Sequence, residues 1–286
     1  MLSPVLDLAK GRFFYVRGEI RLLTINDLVQ PDTIEEAYKI LITRRNNTVL
    51  GGCAFLRMGS RNIGTAIDLA KLGLNDIKEV DGYIQIGAMT TFRDIELSPI
   101  LQQFADGVLP KAVSHVLGVQ FRNVVTIGAS VYSKYGFSDL LTALLALETE
   151  VELFKGGRMS LAEFLDKPDE RDILMNIWIK KVDCRAAYQS MRMSASDYPV
   201  LNVAVAKTGA DWIVAVGARP QKAAIAHRIS AELSQKNVNS ENVDFFANIA
   251  CEELVFGTNA RGTAQYRQAM CKVLIKRAIK EVLLCK

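Results

Sequence analysis

Two short glycine-bearing segments carry the clearest chemical signal in the chain: Leu50-Gly51-Gly52-Cys53-Ala54 and Thr126-Ile127-Gly128-Ala129-Ser130. Each follows β-branched and apolar residues, Thr48-Val49-Leu50 and Val124-Val125-Thr126-Ile127, and so reads as a turn at the end of a strand. Glycine in such a turn lets the backbone approach a ligand closely and aim successive N–H groups into one concavity, which suits the oxygens of a pyrophosphate. Neither segment is a GxGxxG or Walker sequence, and Gly59 to Gly64 has the Walker spacing without its lysine. A lone turn of this kind is usually a packing feature, so the functional expectation requires the two to converge in space.

Other reactive residue types are sparse. The five cysteines, Cys53, Cys184, Cys251, Cys271 and Cys285, include no CxxC pair, and the two histidines, His115 and His227, form no HExxH. That pattern excludes most zinc and thiol-redox frameworks, and an iron–sulfur cluster would need four thiolates that this chain does not group. Thirty-five Lys plus Arg against 31 Asp plus Glu leave a formal charge of +4, too small and too evenly spread for a phosphate-backbone binder, so nucleic acid is not an expected partner. No apolar run approaches the ~18 residues of a membrane span. Asp7, Lys10 and Arg12 interrupt the apolar start of the chain, which makes the cytoplasm the expected compartment.

Periodicity supplies the elements that must position the two turns. Asp32 and Thr33 with Glu35 and Glu36 predict a capped helix over 33–45. Short strands are expected at 66–69, 83–88, 124–127 and 151–154, and helices at 91–97, 100–117 and 139–147. Beyond Asp183 the chain turns strand-rich, at 200–206 and 212–216, and then helical, through the alanines of 223–231 to a terminal stripe of Met270, Val273, Leu274, Ala278 and Val282. A length of 286 residues implies two domains, divided near residue 182, with residues 1–21 as an aperiodic N-terminal extension.

Read together, these segments resemble the FAD-binding medium subunit of molybdenum hydroxylases, the group of xanthine dehydrogenase and carbon monoxide dehydrogenase flavoprotein subunits. Leu50 to Phe55 is similar to the family's alanine-glycine-glycine-threonine-aspartate-leucine turn, and Ile86-Gly87-Ala88-Met89-Thr90-Thr91 to its IGALTT segment. Val119 to Asn123 followed by Thr126 to Ser130 resembles its QIRN and TIGGN elements. Asp139, Leu144 to Leu147, Asp197-Tyr198-Pro199 with Val203 to Ala206, and Arg261 to Arg267 follow in the family's order, so the likeness runs from about residue 22 to the end.

The resemblance implies an α+β chain. A PCMH-type FAD-binding domain of two α/β subdomains would span 22–182, and a CO dehydrogenase flavoprotein C-terminal-like domain, a three-stranded antiparallel sheet with helices, 183–286. It implies that Gly51, Gly52, Cys53, Ala54 and Phe55, led in by Val49 and Leu50, hold the FAD pyrophosphate and ribityl chain together with Thr126, Ile127, Gly128, Ala129 and Ser130. Val116 and Leu174 would line the flavin, Asp139 would accept a hydrogen bond from it, and Gln189 falls near the family's lysine.

Departures accompany these matches. Cys53 replaces a hydroxyl donor, Ala54 a carboxylate and Ser130 an asparagine, and Tyr135-Gly136-Phe137-Ser138 lacks the usual proline. Ala129 replaces a second glycine, a strain on the order of 1 kcal/mol or more if that position needs φ > 0. The implied function is FAD-dependent electron transfer from an iron–sulfur subunit to NAD or another acceptor, with substrate oxidised on a molybdopterin subunit. No residue of this chain then needs to act as an acid or base. Two alternatives stay open, a flavin-free or weakly binding assembly subunit and a stand-alone flavin oxidoreductase of the same fold.

Overall fold

The structure, a computed structural model, describes residues 3–7, 12–16, 22–239 and 241–284, and Cys285 lies outside them. Three sheets follow one another along the chain after a short N-terminal hairpin. The first is parallel, with Asn62–Asp68 between Thr24–Val29 and Thr48–Leu50. Parallel strands need a crossover, and the helix Ile34–Thr43 carries the chain from Thr24–Val29 past the middle strand to Thr48–Leu50 on its other side. Thr33 caps that helix by accepting from the Glu36 amide, and Glu35 and Glu36 suit the positive end of its dipole. Its Ala37 and Leu41 bury against Ile67, Leu69 and Ile173.

The second sheet is antiparallel, in the order Ile77–Val80, Tyr83–Gly87, Leu174–Lys180, Thr149–Leu153, Gly157–Ser160. Its middle strand arrives last in sequence. The helices Phe92–Leu97, Val108–Ser114, Ile127–Tyr132 and Asp139–Ala146 share one core with this sheet. In the third sheet Cys184–Arg192, Pro199–Thr208 and Asp211–Gly217 form an antiparallel meander, extended at one edge by the two-residue strand Ala224–Ile225. Helix Asp139–Ala146 covers one of its faces, and His227–Gln235, Val243–Glu253 and Ala264–Leu284 cover the other. Pro199–Thr208 is therefore buried on both faces as far as Ala206, which explains why apolar residues occupy both of its faces with Asn202 as the one polar interruption. The same double coverage leaves Asp139–Ala146 buried all round, so it shows apolar density without an amphipathic stripe.

Local expectations fail in four places. The N-terminal extension contains an antiparallel hairpin, Ser3–Asp7 against Arg12–Val16, while the remainder of residues 1–21 lies outside the described residues. Residues 124–127 are not a strand. Thr126 makes a single bridge to Thr91 and then caps the helix Ile127–Tyr132, where its hydroxyl satisfies the Ala129 amide. The helix expected over 100–117 breaks after Gln103, because Ala105 (φ 50), Asp106 (φ 52) and Gly107 (φ 69) are left-handed. Pro110 belongs to the first turn of a new helix, the position where its missing N–H is harmless. Finally, the alanine-rich stretch starts as the edge strand Ala224–Ile225, and helix begins only at His227.

Candidate functional site

The two glycine segments meet. A Cβ on Gly51 would stand 2.5 Å from the Ala129 Cβ and 2.9 Å from the Thr126 hydroxyl. One on Gly52, at φ +74, would overlap the Val124 carbonyl. Glycine at these positions is what allows the segments to touch. Cys53 continues the left-handed backbone at φ 56, whereas Ala129 sits within a helix. The strain expected at Ala129 therefore falls on Cys53 instead.

The two sides of this junction offer different chemistry. In the first segment the amides of Gly52, Cys53, Ala54 and Phe55 donate to no group among the described residues. Successive unpaired amides in a turn make an anion-binding concavity. In the second segment every amide from Ile127 to Ser130 is already used. Ile127 donates to Thr90 O and Gly128 to Ala88 O, both at 2.9 Å, Ala129 to Thr126 Oγ1 at 3.3 Å, and Ser130 to Thr126 O at 3.2 Å. The carbonyls of Thr90 and Ala88, together with the helix cap, consume the donors that a strand-end turn would have left free. A Cβ on Gly128 would lie 2.6 Å from Ala88 O, so this glycine serves close packing rather than a phosphate cradle.

Between the segments opens a cleft of about 460 Å³, within the range of small-molecule and cofactor sites. Val49, Leu50, Gly51, Cys53, Ala54, Phe55, Val116, Thr126, Gly128, Ala129, Ser130, Asp139 and Leu174 line it. Three expected site residues do not. Gly52 is turned against Val124, and Ile127 is fully buried in the core. Gln189 lies on the opposite face of its strand from Tyr188 and donates to Glu281 of the terminal helix at 2.6 Å. Side chains alternate along a strand, so facing that helix takes Gln189 out of the cleft.

Asp139 opens its helix behind Ser138, whose hydroxyl accepts from the Leu141 amide. The carboxylate is buried, and its Oδ1 accepts from the Tyr188 hydroxyl, from Arg192 Nη2 at 2.5 Å and from Asn202 Nδ2 at 3.5 Å. Burial first, and then the charge of Asp139, push the Tyr188 phenol well above its usual range, so it stays a donor. Burial likewise raises the Cys53 thiol, against the smaller opposing effect of the Gly51 amide, and keeps it in the neutral form.

Aromatic residues that the sequence reading did not assign to the site close the wall beside Phe55. Its ring centroid lies 5.0 Å from Tyr135 and 5.7 Å from Phe137, and Phe137 lies 4.5 Å from Tyr198. Their signal was the aromatic density just ahead of Asp139. At the far end Arg171 donates to the carbonyls of Leu41, Arg44, Arg45 and Asn47, fastening the C-terminal end of the crossover helix to the second subdomain. No cluster of three or more His, Cys, Asp or Glu able to hold a metal occurs among the described residues. No described helix is long and apolar enough to cross a membrane.

Free amides on one rim, an apolar and aromatic interior and a charged inner end suit a ligand with an anionic bridge and a flat ring system, which places the fold among flavin-dinucleotide binders. Residues 23–183 match the family described as the FAD binding domain in molybdopterin dehydrogenase, and residues 186–282 match the CO dehydrogenase flavoprotein C-terminal domain. The chain belongs to this FAD-binding family of molybdopterin dehydrogenases, and FAD is its cofactor. It is 25% identical over 269 residues to the nicotine 6-hydroxylase medium subunit of Paenarthrobacter nicotinovorans, covering 88% of this chain and 95% of that one. To the glyceraldehyde dehydrogenase medium chain of Sulfolobus acidocaldarius it is 24% identical over 273 residues, 89% of this chain and 97% of the relative. In fold it resembles a chain of carbon monoxide dehydrogenase from Hydrogenophaga pseudoflava, with a TM-score of 0.82, 23% identity, and coverage of 91% of this chain and 97% of that one.

Proposed function

We propose that this chain is the FAD-carrying medium subunit of a molybdenum hydroxylase, taking electrons from the iron–sulfur centres of one partner subunit and passing them to NAD or another acceptor. Substrate would be oxidised on a second, molybdopterin-bearing partner. The observation that carries the reading is the run of unpaired amides from Gly52 to Phe55 at the rim of an apolar cleft of about 460 Å³. Bound FAD would supply the exchange between single-electron and two-electron carriers.

The chain's own residues bind and orient. The Gly52 to Phe55 amides, joined by the Thr126 and Ser130 hydroxyls, would hold the pyrophosphate and ribityl chain. Val116 and Leu174 would pack on the flavin and exclude water. Asp139, fixed through Oδ1, would accept from the ring with its other oxygen. Residues 181–183 join the two domains, between the strands Leu174–Lys180 and Cys184–Arg192. The four described cysteines are unpaired, in keeping with a reducing cytoplasm.

Gly52→Asp tests the junction that presents these amides, because any side chain there, at φ +74, would collide with the Val124 carbonyl and force the two segments apart. The expected product is colourless, with its flavin-to-protein ratio near zero by visible absorbance and its far-ultraviolet circular dichroism unchanged. A folded variant as yellow as the parent would refute the assignment.

A further inference from the structure

The cleft wall that carries Val116 contains a residue whose backbone conformation runs against its side chain. Leu117 is left-handed at φ 49, lines the cleft and is 41% exposed. A left-handed residue in a turn is ordinarily glycine, because a Cβ crowds the carbonyl that follows. The next residue is a glycine, yet Gly118 is at φ −104 and the strain falls on Leu117. Burial offsets little of it, since much of the side chain stands in solvent. Strained residues persist only where their surroundings over-determine them, and they gather at ligand sites.

Arg122 supplies that determination. Its Nη1 donates to the Val116 carbonyl at 3.3 Å and to the Leu117 carbonyl at 3.2 Å, the two peptide groups that flank the Leu117 Cα. One nitrogen thereby fixes both dihedrals of the strained residue. Nε and Nη2 are held by the two oxygens of Glu96, at 2.9 and 3.2 Å, a bidentate pairing that orients the guanidinium plane. Glu96 accepts in turn from Arg93 Nη1 at 2.8 Å, and stands on the helix Phe92–Leu97, whose Phe92 and Ile95 belong to the core. Arg122 is buried with all three nitrogens engaged, so it addresses the backbone beneath Val116 and not the cleft itself.

We propose that Arg122 is a positioning residue for the cofactor: braced on Glu96, it holds Leu117 left-handed, and this turn sets Val116 where it packs on the flavin ring. The inference rests on FAD occupying this cleft, with Val116 against the ring. Without the clamp Leu117 relaxes to a right-handed or extended conformation, the wall rotates about that residue, and the cofactor loses its apolar packing surface. Binding must then rebuild the turn, so affinity falls although no group that touches FAD has changed.

The test uses the full chain stripped of flavin and titrated with FAD by fluorescence quenching, in the parent, Arg122→Met, Leu117→Gly and the double variant. Arg122→Met is expected to raise the FAD Kd about tenfold, equivalent to ~1.4 kcal/mol, and to alter the visible flavin band. Glycine adopts the left-handed turn unaided. The same Arg122→Met change made on Leu117→Gly should therefore raise Kd by no more than about threefold and leave the band as in Leu117→Gly. A merely structural role would lower affinity by one factor in both backgrounds, and equal factors, or a parental Kd in Arg122→Met, overturn the proposal. If Arg122→Met does not fold, Glu96→Gln takes its place in the same two backgrounds, and equal factors or an unchanged Kd there refute the clamp. A parent that binds no FAD would sink the proposed function itself, an outcome distinct from these.

Discussion

Cys53 is the residue of the first glycine segment whose backbone carries the strain. It follows Gly52 into left-handed backbone, at φ 56 after φ 74, a conformation that costs an L-residue on the order of 1–2 kcal/mol. Glycine would relieve that strain but would add conformational entropy to the unfolded chain, roughly 0.5–1 kcal/mol against it. The net expectation for Cys53→Gly is a gain of up to about 1.5 kcal/mol in thermal or urea unfolding, with flavin retained, because in the proposed site the amide and not the thiol would face the phosphate bridge. Tyr188 shows the opposite balance. Its fully buried hydroxyl is one of three donors to a buried carboxylate, and Tyr188→Phe should lower stability by about 1.5–3 kcal/mol in urea unfolding, the usual loss for a hydrogen bond to a charged group.

At the level of elements, capping and ion pairs decide where the cleft wall stands. Thr126→Ala removes the cap of Ile127–Tyr132 and should cost about 1 kcal/mol by chemical denaturation. The turn carrying Val116 is held by Arg122, whose Nη1 donates to the Val116 and Leu117 carbonyls while Nε and Nη2 bind Glu96. Burial pushes the Glu96 carboxyl up, but hydrogen bonds from Arg93 and Arg122 outweigh it, and the net shift is downward. A carboxylate whose folded pKa lies below its unfolded value stabilises above the unfolded value, here near the ordinary 4.5, and loses that contribution as pH falls through the lowered folded value. Glu96→Gln should therefore flatten the loss of stability on acidification below about pH 4.5, which urea titrations from pH 3 to 7 would measure. The break between the helices at Pro99–Gln103 and Val108–Ser114 was written locally in Gly107 and Pro110, whereas the end of residues 124–127 as a strand was not. A run of β-branched residues looks the same whether it extends a sheet or leads into a helix cap, and the Thr91 bridge that selects the second outcome lies far away in sequence.

Across the whole molecule, the cleft exists because parts built on three separate sheets are tied around it. Arg171 fastens the crossover helix of the parallel sheet to the second subdomain, and Asp139 joins the second subdomain to the C-terminal sheet through Tyr188, Arg192 and Asn202. Arg171→Ala should increase amide hydrogen exchange in Ile34–Thr43 while leaving the central strand Leu174–Lys180 protected, and should weaken FAD affinity by loosening one wall. Equal protection of the crossover helix in parent and variant would show that the tie contributes nothing.

Some of this was legible in the amino-acid order alone. The two glycine segments are local signals, because turn chemistry acts over a few residues, whereas the expectation that they converge, and the choice of Asp139, Val116 and Leu174, came from the resemblance to the family. Which amides remain free was not legible, since that depends on acceptors such as Thr90 O and Ala88 O brought in from another element. Nor was the exchange of Gln189 for Arg192 at the cleft, because a strand's side chains divide between two faces and only the packing of Ala264–Leu284 on one and Asp139–Ala146 on the other says which face is which.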